Sequence, residues 1–330
     1  MIFIGKAPYR VSLLGGSSDL DWFVRENGYG ICLGFALNQF SYSVLNVLPS
    51  NSKRGILDYS TREIYTSIND IVHPIVREVL KELSISQYIE LKTFGFASGG
   101  SGLGGSASFL LSLISSLNNA FEIKLTNQEI IEKAFSLEIN NLKKPIGKQD
   151  QYLCANSGFS SFTFFDNNQV KKNELTLEKL NTLKRLVQDF YLIPTNKNRN
   201  TEKVLSEIKN DRQASEKILE IRSIASSFLL LRDKREYKIE EIFHNSMRDS
   251  WDIKKTLSDV MTPSLNEQFQ LINDLIPNNW IRLIGAGRGG YFLVSSKIEE
   301  KEILELSNMN GLKGIFKANI STEGLSSFNL

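Results

Sequence analysis

Apolar positions along this chain follow two different periods. Residues 31–48 and 56–66 are rich in β-branched and aromatic side chains, and residues 88–96 alternate, as a strand buried on one face does. Residues 106–121 are instead a run of Ser, Ala, Leu, Ile and Phe long enough for a mostly buried helix. Thr126 and Glu129 have the spacing of a capping box and open a second helix, which runs to about Leu142 and is stopped by Pro145. Residues 159–166 read as a short aromatic strand and the polar 167–173 as a loop. From about residue 175 to 276 the texture changes to charged segments of helical period, with a strand near 188–195. In residues 215–231, for example, Ile218, Ile221, Ile224, Ala225 and Phe228 share one face. Residues 280–285 and 291–296 read as strands flanking a glycine cluster, and 315–320 as a last strand. These elements predict an α+β fold of two lobes, with a boundary in the compositional shift at 167–187 that divides the chain into 1–185 and 186–330. Neither an internal repeat nor a low-complexity segment breaks the pattern.

Composition narrows the function classes. The 330 residues carry 39 Lys plus Arg against 37 Asp plus Glu, a net +2, too balanced for a polybasic nucleic-acid binder. Two cysteines and two histidines leave no disulfide framework and little room for histidine-based metal chemistry. No apolar run approaches the ~20 residues of a membrane span, and residues 1–6 show no leader pattern, so a cytoplasmic protein with no membrane partner is expected. A homo-oligomer is left open. The 22 glycines are more informative, because they cluster at 15–16, 99–105 and 285–290.

The middle cluster lies between a strand signal and a buried-helix signal. Glycines let backbone amides approach an anion, and the following helix points its positive end at the same place. This predicts a phosphate cradle. The Lys-Ser/Thr of a P-loop is missing, since Gly104 is followed by Gly105 and Ser106. Gly100-x-Gly102-x-x-Gly105 also matches a dinucleotide fingerprint, with Glu122 spaced to meet a ribose, which keeps a nicotinamide-dependent dehydrogenase open. The cluster at 285–290 matches the same expression but runs into a strand signal.

Four segments in order carry a resemblance. Residues 7–19, from Ala7-Pro-Tyr-Arg10 to Gly15-Gly-Ser-Ser-Asp19, resemble the N-terminal substrate motif of the galactokinase, homoserine kinase, mevalonate kinase and phosphomevalonate kinase (GHMP) superfamily. Gly102-Leu-Gly-Gly-Ser106-Ala resembles its second motif, with Gly105 in place of a serine, and residues 285–290 resemble its third, with Arg288 where a small residue is usual. Gly147-Lys-Gln-Asp150-Gln-Tyr resembles the heptose 7-phosphate kinase branch. The resemblance spans about residues 4 to 295. It implies a ribosomal S5 domain 2-like N-terminal lobe, a ferredoxin-like C-terminal lobe, and ATP and Mg2+ as cofactors.

Residue by residue, the resemblance implies a nucleotide cradle at Gly99, Gly100, Ser101, Gly102, Leu103, Gly104, Gly105 and Ser106. Ser106 and Glu138 would be the metal ligands. Asp150 would be the general base, with Arg10 beside the developing charge and Lys148 on the transferring phosphate. The acceptor would meet Gly16, Ser17, Ser18, Asp19, Gly287 and Gly289, and Arg199 would hold a phosphate already on it. Ser17-Ser18 stand where that branch has Gly-Thr, and Pro194-Thr-Asn stands where it has Tyr-Thr-Gly, so the sugar's identity is not carried over. The implied activity is phosphorylation of the anomeric hydroxyl of a heptose 7-phosphate or related sugar, feeding nucleotide-sugar synthesis. An unphosphorylated sugar as acceptor is the alternative within the class, and a catalytically silent nucleotide-binding scaffold is a further one.

Overall fold

The protein is described by a computed structural model covering residues 1–97, 100–197, 200–232, 235–257 and 260–330. The chain opens with β1 (Ile2–Leu14), a short helix α1 (Asp21–Asn27) and the 19-residue β2 (Tyr29–Val47). β1 and β2 pair antiparallel from Ile2↔Asn46 to Leu14↔Leu33. Residues 56–66 fold as a hairpin of β3 (Gly55–Asp58) and β4 (Arg62–Tyr65), followed by α2 (Pro74–Glu82) and the alternating β5 (Ile89–Gly95).

Next come two helices, α3 (Gly105–Ala120) and α4 (Asn127–Ser136). The capping box forms as its spacing predicts, with the Thr126 N–H donating to Glu129 at 2.8 Å. A π-helical turn at Leu137–Asn141 then leads to α5 (Gln149–Ala155) and β6 (Phe159–Phe165). Residues 170–173, expected as loop, are instead β7 (Val170–Asn173), paired with β6. Their polarity reflects an edge position, where charge discourages further pairing.

β2 organises this first sheet. Beyond β1, its first half pairs with β6 (Phe35↔Phe159) and its second half with β5 (Ser41↔Gly95). After α6 (Leu177–Leu186), a second sheet begins with β8 (Phe190–Pro194). Four helices follow: α7 (Thr201–Asn210), α8 (Ala214–Leu230), α9 (Glu236–Lys254) and α10 (Pro263–Leu275). β9 (Trp280–Leu283), β10 (Tyr291–Ser295), α11 (Glu300–Met309) and β11 (Phe316–Lys317) complete this part, with the antiparallel strand order β11-β8-β10-β9. The last strand, β12 (Ser326–Asn329), returns to the first sheet beside β1. Its short polar sequence has no period that announces it. The result is a two-lobed α+β fold. Among the described residues no helix is long and apolar enough to cross a membrane.

Beside a core that packs Leu20 and Phe23 with Tyr191 and Ile281 of the second lobe, two further cores hold the fold together. One packs α2, α3 and α4 onto the first sheet, with Leu45, Leu91, Leu110 and Ile114 buried. The other joins the lobes directly, packing Tyr9, Val11 and Phe35 of the first sheet with Phe190, Phe228, Phe243 and Trp280. A shared apolar core of this kind holds the facing walls of the lobes at a set distance. α3 lies so close to β1 that a Cβ on Gly5 would come 1.8 Å from the Ser112 carbonyl oxygen. Gly5→Ala is therefore expected to destabilise the fold by about 3 kcal/mol through overpacking. Urea unfolding measures it, and an unchanged midpoint would show that α3 can retreat without penalty.

Candidate active site

A cavity of about 530 Å³ opens between the lobes. Of the residues singled out from sequence, it brings together Arg10, Gly16, Ser17, Asp19, Gly100, Gly102, Gly104, Gly105, Ser106, Glu138 and Asp150. These come from β1, the loop after it, the glycine-rich loop, the π-turn and α5.

One wall is the N-terminus of α3. Gly104 caps it at φ +75°, a left-handed conformation that a Cβ disfavours, and an added Cβ would also lie 2.8 Å from the Cys154 sulfur. The first-turn amides of Gly105, Ser106 and Ala107 have no acceptor within the helix, and these residues line the cavity. Free amides and a partial positive charge aimed into a cleft suit an anion. Ser101 and Leu103 are absent from the lining. Leu103 is buried, and its carbonyl accepts the Arg10 N–H at 2.9 Å. Gly99 lies outside the described residues.

Beside this wall is an ion pair that spans 140 positions of sequence. The Arg10 guanidinium, 4% exposed, donates to Asp150 Oδ1 from Nε at 2.9 Å and from Nη2 at 2.7 Å. Its third nitrogen, Nη1, donates to the Gly102 carbonyl, tying the pair to the glycine loop. Burial alone would favour a neutral guanidine. The Asp150 carboxylate outweighs it, and the net effect raises the Arg10 pKa. Both Arg10 contacts fall on Oδ1, and no hydrogen bond among the described residues uses Asp150 Oδ2.

Lys148 requires correction. Its ammonium turns into a second groove, where it donates to Asn168 Oδ1 at 3.1 Å and lies over the Phe135 ring. Successive residues at the start of a helix diverge by about 100° around its axis. Gln149 and Asp150 consequently face the cavity while Lys148 does not.

Asp19, in the loop after β1, is 2% exposed. Its Oδ2 accepts the Gln149 N–H at 3.0 Å, whereas Oδ1 has no partner among the described residues. Burial is the largest influence on its carboxyl, and the pKa is pushed up to about 6. A buried, half-satisfied carboxylate lining a cavity is a ready acceptor for a ligand hydroxyl. Gly147 permits this placement, because a Cβ there would lie 2.1 Å from Asp19 Oδ2. Ser17 lines the cavity, but Ser18 does not. The Ser18 hydroxyl has the Gly15 and Ile31 carbonyls as acceptors within reach at 2.7 and 2.9 Å and accepts the Ile31 N–H, and so it braces the loop.

Ser106 and Glu138 meet at the rim of the helix wall, the serine hydroxyl donating to Oε1 at 2.6 Å. Gln151 donates to Glu138 Oε2 at 2.5 Å, and the Lys144 ammonium reaches both Ser106 Oγ (2.8 Å) and Glu138 Oε1 (2.7 Å). A hydroxyl beside a carboxylate is a hard-oxygen donor set, the kind a small divalent cation prefers, and one that needs only phosphate oxygens and water to be completed.

Sequence reasoning missed Lys144, Gln149 and the cations from the second lobe. Lys254, at the end of α9, and the buried Arg282 of β9 both line the cavity. Lys254 donates to the Gly285 carbonyl at 2.7 Å. Arg282 donates to the Leu13 carbonyl at 2.5 Å, its Nε has no partner, and burial lowers its pKa to about 10. No motif marks either cation, since both are placed only by packing of the lobes. The third glycine cluster contributes Gly285 and Ala286 to the cavity instead of Gly287 and Gly289, which lie against Val260 and the Lys197 carbonyl. Arg199 lies outside the described residues.

Residues 70–158 match the family described as GHMP kinases N terminal domain. The chain is 24% identical over 300 residues to a D-glycero-alpha-D-manno-heptose 7-phosphate kinase of Campylobacter jejuni, covering 87% of each chain. Its fold is similar to that of a D-glycero-D-manno-heptose 1-phosphate kinase from Bacteriodes thetaiotaomicron, with TM-score 0.76, 20% identity and coverage of 100% and 99% of the two chains. It is also similar to that of Lactococcus lactis galactokinase complexed with galactose, with TM-score 0.74, 14% identity and coverage of 100% and 95%.

Proposed function

From a chain that has the two-lobed fold of the GHMP kinases and their N-terminal domain, we propose an ATP- and Mg2+-dependent sugar kinase. It phosphorylates the anomeric hydroxyl of a heptose 7-phosphate or a related sugar. The observation that carries this reading is the Arg10–Asp150 pair set beside the N-terminus of α3 in one cavity. Phosphoryl transfer asks for an anion cradle, a base at the acceptor hydroxyl and fixed positive charge, more than for covalent help.

Each task has a residue of suitable chemistry. The triphosphate lies on the amides of Gly105, Ser106 and Ala107. Asp150 Oδ2 takes the proton of the acceptor hydroxyl, while Arg10 holds Oδ1 and keeps the side chain oriented. Asp19 Oδ1 accepts a second sugar hydroxyl and so fixes the orientation of the ring. Ser106 and Glu138 would hold magnesium, which supplies charge neutralisation on the transferring group. Lys254 and Arg282 place positive charge on the opposite wall, which suits an acceptor that already bears a phosphate.

The dinucleotide alternative is disfavoured by the position of Glu122. That residue follows the far end of the 16-residue α3, about 24 Å of helix away from the glycine loop, too far to meet a ribose beside it.

Incubation with Mg-ATP and a panel of sugars and sugar phosphates, read by phosphorus NMR, tests the proposal. A new anomeric phosphate resonance with heptose 7-phosphate is expected. Preference for a sugar without the 7-phosphate would move the assignment to an ordinary sugar 1-kinase. A complete lack of ATP consumption across the panel would overturn the kinase reading.

A further inference from the structure

Glu138 is almost fully buried and lies where a divalent cation would bind, yet its charge is already neutralised from within the chain. The Lys144 ammonium sits 2.7 Å from Glu138 Oε1 and 2.8 Å from Ser106 Oγ, and all three residues line the cavity. Glu138 Oε2 is taken by Gln151. The position of Lys144 is built rather than incidental. Lys143 adopts a left-handed φ of +54°, uncommon for a side-chain-bearing residue, and the Lys144 N–H donates to the Glu138 carbonyl at 2.9 Å. Those two features turn the chain back after the π-turn and carry the Lys144 side chain to the same carboxylate. The Lys144 side chain is 17% exposed and lines the cavity.

The ammonium, within hydrogen-bond distance of both oxygens, takes up the approach a divalent metal would need, and like charges at that spacing repel strongly. Resting on the reading of Ser106 and Glu138 as the metal ligands, we propose that Lys144 is the resident cation of this pair. A divalent metal must displace it, and the displaced ammonium moves onto the phosphate oxygens of the nucleotide. Metal and triphosphate are thereby coupled. Without phosphates the lysine holds the carboxylate and the metal competes poorly. With phosphates the lysine has a second anion to pair with, and the metal's place is released.

The test uses two titrations of the full chain, neither of which measures catalysis. Mn2+ binding to nucleotide-free protein is followed by electron paramagnetic resonance, and ATP binding in EDTA by calorimetry. In Lys144→Met, Mn2+ affinity is expected to rise about tenfold or more, and metal-free ATP affinity to fall by a similar factor. Lys144→Arg, which keeps the charge, should remain near the wild type in both. A merely structural role would lower both affinities together, and that result would overturn the proposal. Equal Mn2+ affinity in wild type and Lys144→Met would overturn it too, as would a gain that survives adding Glu138→Gln, since the metal would then be bound elsewhere. Lys144→Gln supplies the same comparison should the methionine variant fold poorly. Failure of sugar phosphorylation in the NMR panel would remove the kinase reading while leaving the Mn2+ comparison intact, because that titration needs neither nucleotide nor sugar.

Discussion

Asp150→Asn is expected to lower kcat by about 10²–10⁴-fold while leaving the nucleotide dissociation constant within about a factor of three. The asymmetry follows from the geometry. Arg10 contacts only Oδ1, through two nitrogens, and an asparagine oxygen can still accept both bonds, so the side chain is held where it was. The other atom becomes an amide nitrogen, which cannot take a proton from the acceptor hydroxyl. The glycine loop and the α3 amides are untouched, which is why ATP binding should persist. Arg10 loses its charge partner in a site where it is 4% exposed, so the variant should also melt at a lower temperature than the wild type. Rates are therefore to be compared well below that transition. Single-turnover kinetics with saturating Mg-ATP isolate the chemical step, and calorimetry reports the nucleotide. Near-normal turnover would remove Asp150 as the base, and a parallel loss of ATP affinity would move it to the nucleotide side of the cavity.

Much of this site is legible in the sequence because its parts are local. A glycine run between a strand and a buried helix is written within about twenty residues, and the capping box of α4 within four. Of the face of α8 that the period predicts, Ile218, Ile221, Ala225 and Phe228 are buried and Ile224 is half-buried. What could not be read is what depends on closure over distance. Arg10 and Asp150, 140 positions apart, come together in the sequence only through the family resemblance, and nothing marks Arg282, which reaches the Leu13 carbonyl across 269. Lys148 and Gln149 are neighbours in sequence, yet helix geometry sends one out of the cavity and leaves the other in it. Lys144 is the sharpest case. A lysine just before Pro145 reads as a solvated turn residue, and only the left-handed Lys143 brings it back to Glu138. Edge strands such as β7 and β12 fall in the same class, since their pairing partner, not their composition, makes them strands.

Asp19→Asn is expected to stabilise the ligand-free protein at neutral pH and to weaken acceptor binding about 100-fold. The carboxyl of Asp19 has a folded pKa of about 6 against an ordinary 3.8, with burial as the main cause. A folded state that binds the proton more tightly than the unfolded chain loses stability as pH rises between those values. The contribution is thus fully present below about pH 4 and lost by about pH 6–7, a fall of roughly 3 kcal/mol at most. Asparagine keeps an oxygen for the Gln149 N–H and does not ionise, so the variant lacks that fall. Other groups titrate in the same range, and the informative quantity is the difference between wild type and variant in urea unfolding at pH 4.5 and 7.5. Stability curves that run parallel would show that Asp19 is not burdened by its burial.

The acceptor side has the opposite sign. A sugar hydroxyl donating to Oδ1 supplies the partner that the carboxylate lacks, so binding and ionisation support each other. Acceptor KM in the wild type should consequently rise as pH falls below about 6, while in Asp19→Asn it should be high and flat across that range. A variant that loses stability and keeps the wild-type KM would place Asp19 in the scaffold. The reverse pattern, more stable and poorly binding, is what a buried acid held unsatisfied for its ligand must show.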